Sequence, residues 1–326
     1  MNYTSVIETH DLTKRYDKLT AVNKLNLRIE EGEIFGLLGP NGAGKTTTLS
    51  MLSTLLPPTE GRATVNGFDV KRQASQVRHS IGFVFQDPSS DDMLTGRENL
   101  YLHALMYGVD MKHIKHKIDE VLKLVDLTDK QNLRVKFYSG GMRRRLELAR
   151  GLLHEPKILF LDEPTLGLDP QTRAHLWSYI KKLSKEKKVT IIITTHYMEE
   201  ADSLCDRLAI IDHGKVVALG TPANLKKELG GDVVRIYAKK PNLTALRKLK
   251  YIKSIKQRDG MLTLTVNDAG SHLQEILKKA GDVDSVESRS PTLDDVFLHY
   301  TGSQIRDNDE AEGGWAERMM HANSNR

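Results

Sequence analysis

The segment GPNGAGKTT, residues 39–47, sets glycines at 39, 42 and 44 ahead of a lysine and two threonines, in the pattern G-x-x-x-x-G-K-[ST]. Glycines let successive backbone N–H groups curl around phosphate oxygens, and a helix beginning at the lysine adds a dipole that favours negative charge. Lys45 would then reach the β- and γ-phosphates of a nucleoside triphosphate, and the Thr46 hydroxyl would ligate Mg²⁺. A second segment, ILFLDEPT (158–165), runs through four apolar residues to Asp162 and Glu163. Adjacent carboxylates repel unless a cation lies near. Asp162 is therefore expected to hold the metal through water, and Glu163 to orient or deprotonate the attacking water. His196 ends VTIIITTH (189–196) and Gln86 ends IGFVFQ (81–86), but neither is informative alone.

A third segment, YSGGMRRRLELARG (138–151), puts two glycines at the mouth of a basic, amphipathic helix. Each glycine costs a helix about 1 kcal/mol relative to alanine, so the pair implies a close approach.

The elements that must carry these residues follow from the apolar pattern. Four strand-like runs, 34–39, 81–86, 158–163 and 189–196, each end at a residue capable of chemistry. They alternate with helical periods, as in a largely parallel sheet whose ligands lie beyond its carboxyl edge. Residues 95–155 read as a helical insertion, opened by the capping box Thr95 to Glu98, with Ile114, Ile118, Val121, Leu122 and Val125 on one helical face. After residue 231 the order becomes βαββαβ, with an Asp-Gly hairpin turn within IKSIKQRDGMLTLTV. A terminal helix, PTLDDVFLHYTG (291–302), follows, and then a polar stretch expected to be disordered.

The composition narrows the class. The chain has 326 residues, is 39% apolar with a net charge of +5, and carries one cysteine, Cys205. An internal disulfide and a cysteine-based zinc cluster are excluded, which suits a reducing compartment. No apolar run reaches the length of about 18 residues that a spanning helix needs, and the N-terminus lacks a signal-peptide pattern. His113 and His116 lie one helical turn apart without an evident third ligand, and Arg143–Arg145 read as a solvated helix face.

The phosphate loop, Gln86, YSGGM, LDEPT, GLDP (167–170) and THYMEEAD (195–202) resemble ATP-binding-cassette (ABC) ATPases in order and spacing, from about residue 6 to 225. RRRLELARGLL (143–153) and SPTLDDVFLHYTG (290–302) look like the daunorubicin-resistance type of drug-exporter ATPase. The resemblance implies a P-loop α/β fold of ABC type with a helical subdomain over about 88–155. It also implies a cassette over 1–228, a small ferredoxin-like α+β domain over 229–302 for dimerisation or regulation, and a tail over 303–326.

By the same resemblance, two chains meet head to tail as a homodimer and trap ATP with Mg²⁺ between them. Gly39, Pro40, Asn41, Gly42, Ala43, Gly44, Lys45, Thr46 and Thr47 would cradle the phosphates, and Tyr16 would stack on adenine. Ser139, Gly140, Gly141 and Asp169 would act in trans on the partner's nucleotide. Glu163, His196 and Gln86 would be catalytic, with Thr46, Gln86 and Asp162 around the metal. The implied activity is ATP hydrolysis to ADP and phosphate for an exporter. It would drive a separate integral membrane permease from the cytoplasmic face of the cell membrane, with no nucleic acid as partner. Tyr138 and Met142 depart from the leucine and glutamine usual in the signature, which puts subunit contacts there in question. The alternative is a soluble ABC ATPase acting on ribosomes or DNA; the tandem cassettes, coiled coils or zinc insertions of such relatives have no counterpart here.

Overall fold

The computed structural model describes residues 4–17, 19–238, 241–258 and 261–302. The Asp259–Gly260 turn and the tail from 303 lie outside the described residues.

The chain opens with β1 (Ser5–Tyr16), β2 (Leu19–Leu25) and β3 (Arg28–Glu30), then β4 (Ile34–Leu38) and α1 (Lys45–Leu52). After β5 (Glu60–Val65), β6 (Phe68–Asp69) and α2 (Ala74–Ser80) comes β7 (Ile81–Val84). The helical stretch is α3 (Gly96–Met106), α4 (Met111–Leu124) and α5 (Gly140–Leu152). It leads to β8 (Ile158–Asp162), α6 (Pro170–Lys187), β9 (Thr190–Thr195) and α7 (Met198–Leu204). Then follow β10 (Arg207–Asp212), β11 (Lys215–Gly220) and α8 (Pro222–Glu228).

The central sheet runs β11-β10-β4-β9-β8-β7, parallel except for β11. β4, β8 and β9 are buried along their whole length, which is why they read as unbroken apolar runs. The run 81–86 is only partly strand: β7 stops at Val84, and Phe85 and Gln86 are exposed beyond it. A second, antiparallel sheet of β1, β2, β3, β5 and β6 packs its core of Ile7, Leu12, Ile29 and Val65 against Phe35 and Leu37. Sequence reasoning missed this sheet, because its short strands alternate weakly and carry charge on their open face.

In the helical stretch the Thr95–Glu98 capping box is formed, and Ile114, Ile118, Val121, Leu122 and Val125 are buried together.

The C-terminal part is β12 (Asp232–Tyr237), α9 (Leu243–Leu246), β13 (Ile252–Arg258), β14 (Met261–Val266), α10 (Ala269–Ala280) and β15 (Ser285–Arg289). Its sheet is antiparallel in the order β13-β14-β12-β15, the split βαβ arrangement expected. The helices cover one face, over Val234, Ile236, Leu262 and Leu264.

The last helix, α11 (Leu293–Thr301), does not join that small core. It packs on α7, α8 and β11, and Leu293, Val296 and Phe297 belong to the cassette's core with Leu204, Ala218 and Leu225. Its polar edge faces the other way. Arg289 Nη1 and Nη2 donate to Asp295 Oδ2 and Oδ1 at 2.5 and 2.9 Å, and the Thr292 amide donates to Oδ2 at 2.9 Å. Burial pushes the Asp295 carboxyl up, but Arg289 and the Thr292 amide outweigh it, so the group lies below its ordinary 3.8. A depressed carboxyl stabilises the fold fully above the unfolded value and loses that stabilisation as pH falls through the folded one. Asp295→Asn should therefore cost about 1.5–3 kcal/mol at neutral pH, the range for hydrogen bonds to a charged group. In urea titrations the gap between variant and parent should close as the pH is taken below 3.8; a gap independent of pH would contradict the assignment.

Candidate nucleotide site

The phosphate loop connects β4 to α1, and its backbone requires the glycines that it has. Gly42 and Gly44 lie at φ 82° and 102°, in the left-handed region. A Cβ on Gly44 would also stand 2.4 Å from the Ala21 carbonyl oxygen, and one on Gly39 2.3 Å from that of Ile211. The loop is thus wedged between β2 and β10, with its curl fixed before any ligand arrives. Lys45 opens α1 and is buried; its Nζ donates to the carbonyls of Gly39 and Pro40 at 2.8 and 3.2 Å.

The strand ends converge as expected. Asp162 ends β8 with its carboxylate buried, and Oδ1 accepts from the Thr46 hydroxyl at 3.1 Å and from the Thr194 hydroxyl at 2.5 Å. Glu163 Oε1 lies 3.3 Å from Lys45 Nζ. Its Oε2 lies 3.1 Å from His196 Nδ1, a close approach that is not aligned as a hydrogen bond. Burial pushes both acids up. For Asp162 it prevails, with the hydroxyls of Thr194 and Thr46 offsetting only part. For Glu163 the contacts with His196 and Lys45 win, and the carboxyl is held below the usual carboxylate range. Two neighbouring carboxylates with pKa values pushed apart have different work to do. One is a buried oxygen held by two hydroxyls, the other a carboxylate facing the Lys45 ammonium.

Thr46 and Asp162 offer hard oxygen donors of the kind Mg²⁺ prefers. Among the described residues no group of three or more His, Cys, Asp or Glu could hold a metal by itself. A cation at Thr46 and Asp162 would thus need oxygens beyond acidic side chains to complete its shell, from phosphates, water or the Gln86 amide.

The remaining expected residues fall in two places. Tyr16 ends β1 with its ring 42% exposed and the Lys14 ammonium 5.1 Å from the ring centroid. Burial raises its phenol pKa while the Thr47 side chain beside it pulls it back, so the ring borders the phosphate loop. Ser139, Gly140 and Gly141 head α5 elsewhere: Ser139 caps it by accepting from the Met142 amide at 3.3 Å. Among the described residues no hydrogen bond or ion pair joins these three to residues 39–47. A Cβ on Gly140 would meet only Leu168 Cδ2, at an ordinary 3.9 Å, whereas one on Gly141 would meet Thr172 of α6 at 2.5 Å. One glycine of the pair is bare for its own chain's packing. Asp169 caps α6 by accepting from the Thr172 amide at 3.0 Å and its hydroxyl at 2.6 Å, and is exposed.

Two residues here escaped sequence reasoning. Thr194 donates to Asp162 and also accepts from the Glu163 amide at 2.9 Å, fixing both acids. A pair of threonines closing an apolar strand was the available signal. Arg144 is 5% exposed, so the triplet 143–145 is not a uniformly solvated face. It stands one turn before Leu148 and two before Leu152 on the helix's buried stripe, which the period could have revealed.

Comparison with known proteins agrees with this geometry. The family model "ABC transporter" matches residues 22–166, and "ATP-binding protein DrrA1-3-like, C-terminal domain" matches residues 220–301. The daunorubicin resistance ATP-binding protein DrrA3 of Streptomyces coeruleorubidus is 43% identical over 301 residues, covering 90% of this chain and 95% of that protein. The chain belongs to the ABC transporter ATP-binding family. As an ABC ATPase it binds ATP and hydrolyses it to ADP and phosphate. The linearmycin resistance ATP-binding protein LnrL of Bacillus subtilis is 36% identical, covering 93% of this ABC ATPase and all of LnrL. A dimeric ATP-binding cassette in a post-hydrolysis state, bound to ADP and Pi, superposes with a TM-score of 0.60 at 28% identity, over 66% of this chain and 98% of that one. The P-loop α/β fold with its helical insertion and ferredoxin-like addition is that of the family. Among the described residues no helix is long and apolar enough to cross a membrane.

Proposed function

We propose that this ABC ATPase is the energy-coupling subunit of an exporter. It works as a head-to-tail homodimer on the cytoplasmic face of the cell membrane, beneath a permease encoded as a separate chain. The cassette occupies residues 1–228 and takes α11 into its core, the accessory domain spans the rest of 229–302, and the tail is 303–326. The observation that carries the reading is the division of one nucleotide site into two parts on each chain: a buried cluster of Lys45, Glu163 and His196, and the exposed, capped mouth of α5 at Ser139 and Gly140. Each part completes the other only across two copies. The dimeric form of the related cassette supports this.

In the closed dimer the amides of residues 41–47 and the Lys45 ammonium hold the phosphates, and Tyr16 lies against the base. Ser139, Gly140 and Gly141 of the second copy add N–H groups and a helix dipole at the γ-phosphate, with Asp169 crossing the interface. Mg²⁺, when bound by Thr46, Asp162 and Gln86, neutralises charge developing on the phosphates. Glu163, kept ionised by its surroundings, accepts the proton of the attacking water, and His196 contacts the γ-phosphate. The protein contributes position and charge stabilisation to an in-line transfer. The relatives' names concern daunorubicin and linearmycin resistance, and the compound moved here is selected by the permease.

A groove beside the end of β7, lined by Leu55, Phe83, Phe85, His103 and Tyr107, leaves Leu55 and Phe85 about two-fifths exposed. Apolar surface of this kind suits coverage by a permease segment. Affinity purification from solubilised membranes should recover one integral membrane chain with the ATPase. Recovery of ribosomal proteins in its place would overturn the exporter reading.

A further inference from the structure

Arg144 is the least expected group near the site. Its guanidinium, buried inside α5, is hydrogen-bonded to backbone carbonyls alone. Nε donates to Pro164 O at 2.6 Å, Nη2 to Asp162 O at 2.9 Å, and Nη1 to Gln86 O at 3.1 Å and to Phe85 O. Burial pushes its pKa down to about 10, with Glu147 and Asp162 working against the fall, so it stays charged at neutral pH. Burying such a group is costly unless its donors are placed, and here they fall on two segments, 85–86 and 162–164.

The carbonyls of Asp162 and Pro164 flank Glu163, which stands at φ 44° in the left-handed region, uncommon for any residue but glycine. The Glu163 amide is held from the other side by the Thr194 hydroxyl. One turn along α5, Glu147 accepts from the amides of Ser89 and Ser90 at 3.2 and 2.9 Å, so α5 also grips the far end of the segment that carries Gln86.

We propose that Arg144 is a positioning residue of the hydrolytic site: it fixes the backbone on both sides of Glu163, and the carbonyl of Gln86, from the helix whose tip serves the partner's nucleotide. This rests on the reading of Glu163 as the group that activates water. It places both functions in the first turns of α5: the tip at Ser139 and Gly140, and Arg144 about one turn further along the same rigid helix. Seating the tip on one nucleotide sets the aim of the carboxylate at the other.

The test uses the full chain with MgATP. Arg144→Lys keeps the charge, but its single ammonium cannot bracket two carbonyls as the planar fork does. Its kcat should fall at least about tenfold, since a misplacement near 1 Å can cost about 10²-fold. The Kd for ATP should stay within about twofold, since no phosphate contact is lost. A kcat within threefold of the parent, or a loss carried wholly by Kd, overturns the proposal. Should Arg144→Lys not fold, Arg144→Gln, which keeps donors without a buried charge, takes its place. The decisive step is single-turnover hydrolysis by Arg144→Lys, Glu163→Gln and the double variant. If Arg144 acts through Glu163, its substitution costs little further once the carboxylate is gone; losses that multiply independently refute it. Normal turnover by Glu163→Gln alone would instead remove the underlying assignment, so the two failures are told apart.

Discussion

Glu163→Gln is expected to bind ATP as the parent does, release phosphate about 10²–10⁴-fold more slowly, and persist as a nucleotide-loaded dimer. The substitution is nearly isosteric and leaves Lys45, Thr46 and the loop amides in place, so the phosphate-binding side is unaltered. What it removes is a carboxylate whose Oε1 lies 3.3 Å from Lys45 Nζ and whose Oε2 lies 3.1 Å from His196 Nδ1, the one acid of the pair whose pKa is held low. Asp162 is poorly placed to substitute for it, because its Oδ1 is already held by the hydroxyls of Thr46 and Thr194. Phosphate release and gel filtration with ATP check the two halves of the expectation. Release at near the parental rate would show that another group takes the proton.

A mixture of two inactive chains should recover activity. Ser139→Arg places a long side chain at the α5 mouth, where the parent has an exposed Ser139 followed by an exposed Gly140. Lys45→Ala removes the ammonium held by Gly39 O, Pro40 O and Glu163. Each homodimer has two damaged sites. In a mixed dimer the intact loop of the Ser139→Arg chain meets the intact helix tip of the Lys45→Ala chain, while both lesions fall together in the second site. Random pairing leaves roughly a quarter of all sites whole. Turnover of the mixture well above the sum of its parts is the expected result, and no recovery would count against a shared site.

The phosphate loop, both acids and the capped helices were legible because each sits where a local rule, such as glycine spacing or an apolar run ending in charge, has a single structural meaning; His196 was legible only through the family resemblance. The glycine pair was legible only in part. Gly140 faces outward as the spacing implied, but Gly141 makes room for Thr172 of a helix about thirty residues on, a contact no local pattern announces. Arg144 was misread for a related reason. A run of three arginines suggests water, whereas the helical period turns the middle one inward, where carbonyls from distant segments await it. The antiparallel sheet escaped because its pairing is set by tertiary contact rather than by strong alternation.

The seat of α11 has its own implication. Phe297, Leu293 and Val296 fill a socket among Leu204, Ala218 and Leu225, so the polypeptide's last described turn completes the apolar interior of its first lobe. A protease nick or stop codon ahead of residue 293 would leave that socket open to water, and the remaining piece would be sticky and poorly soluble rather than a minimal motor. Separating the two lobes would therefore expose that apolar surface.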